Sequence, residues 1–213
     1  MNSDEMLNLL LGRRSIRQFT RQPIDREIIE RLFVAGTSAP SNTNRQPWRF
    51  AAVTSAEKRA AIVAAVKERA DEMKAIIRQG HHAQDFGNYS DFFHEPLEAA
   101  ALIVIPQYRP YPDLIANFIA SGGGDPEKYD TAAAMQAELC STSAAVMGLL
   151  VQAHAEGLGG CWMAGPMIAR DKICEILGIK EPWRMIGAVA LGYPEGKEAV
   201  KPRKALTDVV QWF

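Results

Sequence analysis

The segment over residues 131–156 constrains the fold of this chain more than any other. Its residues are apolar or small on nearly every side of a helix, and residues 139–155 carry no Asp, Glu, Lys or Arg. A helix without a polar face is stable when other elements cover it on several sides. The run contains Ser, Thr, Gln and His and is short for a membrane span, which needs ~20 apolar residues. We therefore predict a long buried central helix, ended by Gly157 and packed against the rest of the chain or a second copy.

Hydrophobic periodicity predicts the remaining elements. Helices are expected over residues 4–11, 26–35 (with Asp25 as N-cap and Gly36 as stop), 56–79 and 169–177, and strands over 48–53, 102–105 (ended by Pro106), 160–164 and 184–191. Residues 80–95 show no clean period and are predicted to be irregular. Residues 107–130, rich in Pro, Gly and aromatics, are predicted to be a long loop or helical insertion covering a ligand site. The chain shows no repeat or linker, so a single α+β domain over residues 1–213 is expected.

Charge and cysteine content narrow the class of protein. The 213 residues include 24 basic and 25 acidic ones, so no overall field attracts nucleic acid or an anionic membrane. Three cysteines without C-x-x-C spacing predict neither a disulfide framework nor a zinc site, and favour a reducing cytoplasm. The acidic stretch Met1 to Glu5 predicts neither a secretory signal nor a transit peptide. The four histidines show no ligand spacing, so a metal site is not predicted.

A cluster of arginines near the start of the chain predicts an anion site. In Arg13-Arg14-Ser15-Ile16-Arg17, three guanidiniums and a hydroxyl stand close together with no acidic residue nearby. Guanidinium forks match phosphate oxygens bidentately, and a hydroxyl can complete the site. The alternative is a solvated basic turn after a short helix. Gly157 to Trp162 and Gly122 to Tyr129 fit neither a dinucleotide-binding nor a P-loop pattern.

Four motifs taken together resemble the FMN-dependent nitroreductase family. They are the arginine cluster, Ser41-Asn42-Thr43-Asn44-Arg45-Gln46-Pro47-Trp48, Gly157 to Met163, and Leu191-Gly192-Tyr193-Pro194 ahead of Lys201-Pro202-Arg203. The resemblance runs from about residue 8 to the C-terminus and is poor over residues 80–130. It implies a mostly antiparallel sheet flanked by helices, with a long central helix, in a homodimer that holds FMN at its interface.

The resemblance also assigns roles to residues. Arg13, Arg14 and Ser15 would hold the FMN phosphate and ribityl chain, with Lys201 and Arg203. Arg17 would lie near flavin N1 and O2, where positive charge stabilises the reduced flavin. A second subunit would contribute Pro40, Ser41, Asn42 and Asn44, and the backbone of Met163, Ala164 and Gly165 would face N5 and O4, where small residues allow close approach. No amide or lysine in residues 85–98 aligns with the family's ligand to the pyrimidine edge.

The expected function is transfer of hydride from NAD(P)H through FMN to a nitroaromatic or quinone in alternating half-reactions, with residues 107–130 as a lid. The flavin would carry the chemistry, which accounts for the lack of a catalytic dyad or triad. Two alternatives stay open: an FMN enzyme of the same fold that performs reductive dehalogenation or flavin fragmentation, and a flavin-binding or phosphate-binding protein without turnover.

Overall fold

The computed structural model describes residues 2–78, 80–131, 133–196 and 201–213. Over these ranges the fold is α+β, as predicted, with a mixed set of helices around an antiparallel sheet. The helices are α1 (Ser3–Gly12), α2 (Arg26–Thr37), α3 (Ala56–Ile77), α4 (Ala83–Ser90), α5 (Glu95–Ala99), α6 (Leu114–Ser121), α7 (Ala137–Ala155), α8 (Arg170–Leu177) and α9 (Leu206–Val209). The strands are β1 (Trp48–Val53), β2 (Leu102–Tyr108), β3 (Gly159–Met163), β4 (Arg184–Met185) and β5 (Ala188–Gly192). None of these helices is long and apolar enough to cross a bilayer.

The sheet has the strand order β1-β2-β5-β3, with β4 paired to the end of β2, and every pairing is antiparallel. Successive side chains of β2 point to opposite faces. Leu102 and Val104 therefore join the apolar cluster beneath α2 and α7, whereas Ile103 and Ile105 join the cluster beneath α3 and α8. Helices cover the sheet on both faces, which explains why β2 is a continuous apolar run.

The central helix α7 confirms the main expectation, with eight buried residues along its length. It begins at Ala137 rather than at residue 131, because Gln136 has a left-handed backbone with φ of 51° and the preceding residues form a turn. Its closest partner is α2. A Cβ atom on Gly148 would lie 2.9 Å from the Ala35 carbonyl oxygen, and one on Gly36 would lie 3.0 Å from the Ala145 carbonyl oxygen. Gly36 therefore permits close helix packing inside α2, and the prediction that it ends the helix was wrong.

Two predicted strand boundaries were also wrong. Pro106 does not end β2, which continues to Tyr108. Its carbonyl accepts a hydrogen bond from Ile186 N–H at 3.1 Å. Its missing N–H faces the interruption between β4 and β5, where strand pairing does not need a donor. The strand predicted over residues 184–191 is two strands, because Gly187 has φ of 134° and bends the chain between them. The bend directs β4 to the end of β2 and β5 to its start.

The irregular segment predicted over residues 80–95 contains regular structure instead. It forms α4, a single 3-10 turn over Asp91–Phe93 and the start of α5. The turn is held by a charge network in which Lys74 Nζ contacts Asp91 Oδ1 at 2.6 Å and His94 Nδ1 lies 2.8 Å from Glu98 Oε1. These elements are too short to show a helical period. Asp25 occupies the N-cap of α2, as predicted, but without a side-chain hydrogen bond to the helix. Residue 79, the predicted end of α3, lies outside the described residues.

An ion pair fastens α2 to the end of α7, and we expect its contribution to stability to disappear in acid. Arg31 Nε and Nη2 donate to the two Glu156 carboxylate oxygens at 2.7 and 2.9 Å, and the hydrogen bonds from Arg31 and Gln152 lower the pKa of Glu156 to about 2. A lowered folded-state pKa contributes stability above the unfolded value of about 4.5, and this is lost as pH falls towards 2.

Urea unfolding of wild type and Arg31→Gln between pH 3 and 7 measures this contribution. We expect the variant to be less stable at pH 7, with the difference shrinking steadily below pH 4.5. A difference that is constant across the range would show that the variant acts through packing rather than through charge. Arg26→Gln is the matched control, because Arg26 pairs with Glu30 on one exposed helix surface.

Candidate functional site

The arginine cluster lies in an extended segment that is fastened to the edge of the sheet. Residues after α1 run beside β3, where Ile16 N–H donates to the Gly160 carbonyl at 3.1 Å and Ser15 pairs with Gly160 in a parallel bridge. Phe19 then anchors the segment through a bridge to Pro194 and a buried ring. The position of each guanidinium is therefore set by strand pairing rather than by a mobile loop.

A cavity of about 410 Å³, here called the arginine cavity, opens on one side of this segment. Its volume is within the usual range of ligand pockets, roughly 300–1,000 Å³. Arg14 Nη1 donates to the carbonyls of Leu11 and Arg13 at the end of α1, whereas Arg13 Nε is buried and has no hydrogen-bond partner among the described residues. The cavity is lined by Gly12, Arg13, Arg14, Ile16, Leu150, His154, Gly157, Leu158, Gly160, Pro194 and Gly196.

His154, which the sequence patterns did not single out, completes the polar wall of the arginine cavity. It lies in the last turn of α7 with its ring against the backbone of Gly12, since a Cβ atom on Gly12 would lie 2.9 Å from His154 Nε2. Burial lowers the pKa of His154, and the positive charges of Arg13 and Arg14 lower it further. The imidazole is therefore neutral at pH 7 and can donate one hydrogen bond and accept another.

A larger depression of about 1020 Å³, here called the aromatic groove, opens on the other side of the segment. Phe93 forms its floor, in edge-to-face contact with Phe86 and Tyr89 at centroid separations of 6.3 and 5.1 Å. Its described lining carries two basic and two acidic side chains. The groove is lined by Arg17, Gln18, Phe19, Tyr89, Phe92, Phe93, Glu95, Pro96, Ala99, Cys161, Trp162, Met163, Ala164, Gly165, Glu195 and Lys201.

The predicted site residues therefore divide between two depressions. Arg17, Met163, Ala164, Gly165 and Lys201 meet in the aromatic groove, while Arg13 and Arg14 line the arginine cavity and Ser15 stands between them. The absence of a side chain at Gly165 is explained by Phe93, because a Cβ atom there would lie 2.4 Å from Phe93 Cδ1. Among described residues, Arg203 is exposed and lies outside both linings.

The residues that were predicted to complete a second subunit's site lie away from the arginine cavity of their own chain. Pro40, Ser41, Asn42 and Asn44 sit beside the N-terminal half of α7, where Asn42 N–H donates to Ser141 Oγ at 3.3 Å. Thirteen residues of helix, about 20 Å, separate Ser141 from His154. The loop over residues 40–44 is thus far from the arginine cavity of its own chain.

The sequence did not predict which side chains of residues 85–98 line the aromatic groove. From this stretch the groove lining contains Tyr89, Phe92, Phe93, Glu95 and Pro96, with no amide or lysine in the part of the chain that the structure describes. Glu95 is the carboxylate that this stretch adds to the groove lining. The only feature of the sequence that pointed to Glu95 was the density of aromatic residues around it.

Comparison with known proteins agrees with this fold. The model of the nitroreductase family matches residues 10–193. A protein of Archaeoglobus fulgidus, provisionally named an NADH dehydrogenase/NAD(P)H nitroreductase, is 29% identical over 199 residues, which are 92% of this chain and 88% of the relative. The 5,6-dimethylbenzimidazole synthase of Rhodospirillum rubrum is 24% identical over 90% of this chain and 83% of its own length.

A solved structure shows the same fold over the whole chain. The BluB-like flavoprotein of Clostridium difficile 630 superposes with a TM-score of 0.86 at 20% identity and covers 100% of this chain and 99% of its own. The family match spans most of the chain, and members of this family are oxidoreductases. The chain therefore belongs to the nitroreductase family.

Proposed function

We propose that this protein is an FMN-dependent oxidoreductase that takes hydride from NAD(P)H and passes it to an electrophilic small molecule such as a quinone or nitroaromatic. The observation that carries the proposal is a pair of depressions lined by successive parts of one segment, Arg13, Arg14 and Ile16 in one and Arg17 to Phe19 in the other. The first is basic, and the second is broad and lined by aromatic side chains. An anionic tail and a flat ring system are the two parts of FMN.

The residues present fit this cofactor. Arg13 Nε is a buried donor that finds no partner in the part of the chain that the structure describes, and a phosphate oxygen would satisfy it. Arg13, Arg14 and Ser15 would hold the phosphate, assisted by Lys201 and Arg203, while the backbone of Met163, Ala164 and Gly165 would border the ring. Glu95, which lines the groove, could accept a hydrogen bond from a ring N–H.

Bound FMN supplies a carrier that accepts hydride at N5 and later releases it to the acceptor. The protein orients that carrier and shapes its electrostatic surroundings. Arg17 brings a fixed positive charge to the groove, and its Nη1 donates to the Ser15 carbonyl at 3.2 Å, so the guanidinium is directed by the anchored segment. Phe93 is buried in the groove lining and Trp162 is partly exposed there, so the groove offers apolar surface to a planar ring.

We further propose a homodimer in which residues Pro40, Ser41, Asn42 and Asn44 complete the partner's site. Several apolar side chains are exposed in the single chain, among them Leu7 and Leu11 on α1 and Trp212 at 89% exposure in the tail. Such surfaces are typical of subunit interfaces. A solution mass of one chain with FMN bound would contradict the dimer. The one-domain organisation over residues 1–213 and a cytoplasmic location belong to the same proposal.

The segment over residues 107–130 is proposed as the lid that selects the acceptor. Asp113 ties its two ends together: one carboxylate oxygen accepts from Ala116 N–H at 3.0 Å and the other from Ala133 N–H at 2.9 Å. These bonds and one from Thr131 lower the pKa of Asp113 to about 2. The lid is therefore anchored at its base, and the apolar side chains of α6 remain exposed.

Steady-state kinetics tests the proposed reaction. With NAD(P)H and a quinone varied together, we expect parallel double-reciprocal lines, because both substrates use the same groove in turn. Intersecting lines would contradict alternation at one site. Absence of quinone-dependent NAD(P)H oxidation by the flavin-loaded protein would contradict the proposed function itself.

A second candidate is flavin fragmentation, which the relative named 5,6-dimethylbenzimidazole synthase favours. In that case FMN would be consumed as a substrate rather than retained. Aerobic incubation with NAD(P)H separates the two: recovery of the full flavin absorbance supports a carrier, and permanent loss of absorbance with release of a dimethylbenzimidazole supports fragmentation.

A further inference from the structure

We propose that His154 is a phosphate-binding residue of the arginine cavity, and that its imidazole takes up a proton when a phosphate monoester binds beside Arg13 and Arg14. The proposal takes its ligand class from the proposed function. The anion chemistry itself stands on the cavity. No motif in the sequence pointed to this histidine.

The geometry carries the proposal. His154 and the two arginines line one cavity of about 410 Å³, and the imidazole lies against Gly12, the residue that precedes Arg13. Arg13 Nε is buried and has no acceptor within residues 2–78, 80–131, 133–196 and 201–213. A group with several acceptor oxygens entering this cavity meets a guanidinium and an imidazole from two different elements, the segment after α1 and the last turn of α7.

The charges around His154 decide its protonation. Among the residues that the structure describes, Arg13 and Arg14 are the charged groups that act on it, and both oppose a proton on the ring. On its own helix, Glu156 is engaged by Arg31 of α2 and by Gln152, so its charge is already matched. The other segments that line the cavity bring no titratable side chain to it among their described residues. Residues 157–160 are not titratable, and of residues 194–196 only Pro194 and Gly196 line the cavity, whereas Glu195 lines the aromatic groove.

A phosphate dianion reverses this balance. Without ligand, the ring is held neutral by two nearby cations; with a dianion present, the net local charge becomes favourable for imidazolium. The pKa of His154 then rises on binding, so between the free and the bound pKa the complex takes up a proton. Above the phosphate's own second pKa of about 6, affinity should fall as pH rises and the imidazolium is lost.

Two phosphate monoesters are available to such a protein: the 5′-phosphate of FMN and the 2′-phosphate of NADPH. Both present the same chemistry to the cavity. Riboflavin and NADH are the matching ligands without that group, so each pair reports whether the phosphate is the part that is recognised. Inorganic phosphate tests the cavity without any flavin or nicotinamide.

The experiment combines NMR and calorimetry on the full-length protein. The His154 ring resonance, assigned by comparison with His154→Gln, is titrated with pH in the absence and presence of inorganic phosphate and of FMN. Calorimetry of FMN and riboflavin in buffers of different ionisation enthalpy gives the protons taken up. His82→Gln is the control, because His82 lies exposed beside Asp85 and away from the cavity.

We expect the His154 pKa to rise with inorganic phosphate and with FMN, and wild type to take up about half a proton more than His154→Gln near pH 7. FMN affinity should fall about tenfold in His154→Gln, as for loss of a charge-assisted bond, with riboflavin affinity unchanged. A response to NADPH and not to FMN would support the cavity with the other phosphate source.

Two outcomes overturn the proposal. If FMN binds and the His154 resonance does not move, or protons taken up are equal in wild type and His154→Gln, the histidine is a packing residue while the proposed function stands. If neither inorganic phosphate nor any phosphate monoester shifts the resonance, the cavity is not a phosphate site. A shift with inorganic phosphate without FMN binding would retain the site and reject the flavin proposal.

Discussion

Replacing Arg17 by Ala is expected to lower NAD(P)H-dependent turnover roughly 100- to 1,000-fold, the scale typical of removing one preorganised donor from a reacting centre. Arg17 is the guanidinium of the cluster that lines the aromatic groove, and its contact with the Ser15 carbonyl directs it along the groove wall. Loss of this positive charge should also make the flavin potential more negative. Stopped-flow reduction and a spectroelectrochemical titration measure the two effects separately.

Two variants make this result interpretable. Arg17→Lys keeps the charge and loses the planar fork, so it should retain most of the potential and part of the turnover. Arg21→Ala removes a nearby exposed arginine that belongs to neither depression and should change neither quantity. If Arg17→Ala left flavin binding, flavin potential and turnover all unchanged, the role given to Arg17 would be wrong.

Replacing Gly187 by Ala should destabilise the fold by about 2–4 kcal/mol and weaken flavin binding with it. Gly187 has φ of 134°, which L side chains rarely adopt, and a Cβ atom there would lie 2.6 Å from the Met163 carbonyl oxygen and 2.9 Å from Trp162 Nε1. Both neighbours line the aromatic groove. Relief of the clash has to move them, so stability and ligand binding should fall together.

Chemical denaturation and FMN titration of the same preparations measure this coupling. Gly178→Ala is the matched control, since Gly178 also has a positive φ, 63°, but open space around its missing side chain. It should cost about 1 kcal/mol and leave FMN affinity unchanged. If Gly187→Ala bound FMN like wild type, the bend between β4 and β5 would have no part in shaping the groove.

The order of the large elements could be predicted because each is written in local hydrophobic patterns. The run at Leu102 and the apolar segment around Leu149 indicate a buried strand and a buried helix whatever surrounds them. The boundaries that failed depend on distant partners. Gly36 lies inside α2, where the Ala145 carbonyl of α7 approaches too closely for a side chain. Pro106 lies inside β2 because its missing N–H faces the interruption between β4 and β5, about eighty residues further along the chain.

The candidate site was predictable to the same extent. The motifs predicted that Arg17 and residues 163–165 share one site, and both line the aromatic groove. They could not show that Arg13 and Arg14 line a separate cavity, because that separation depends on the pairing of Ser15 with Gly160. His154 and Glu95 carry no motif. They reach the site only through the packing of α7 against α1 and of α5 against the sheet, which single residues in a sequence do not reveal.

Flavin-dependent hydride transfer can be followed in the visible spectrum of the purified protein, first supplied with FMN, then made anaerobic and given NAD(P)H. We expect oxidised flavin absorbance that bleaches with NAD(P)H and recovers when a quinone is added, with intact FMN released on denaturation. A protein that does not bind FMN, or whose bound FMN is not reduced by NADH or NADPH, would contradict the proposed function.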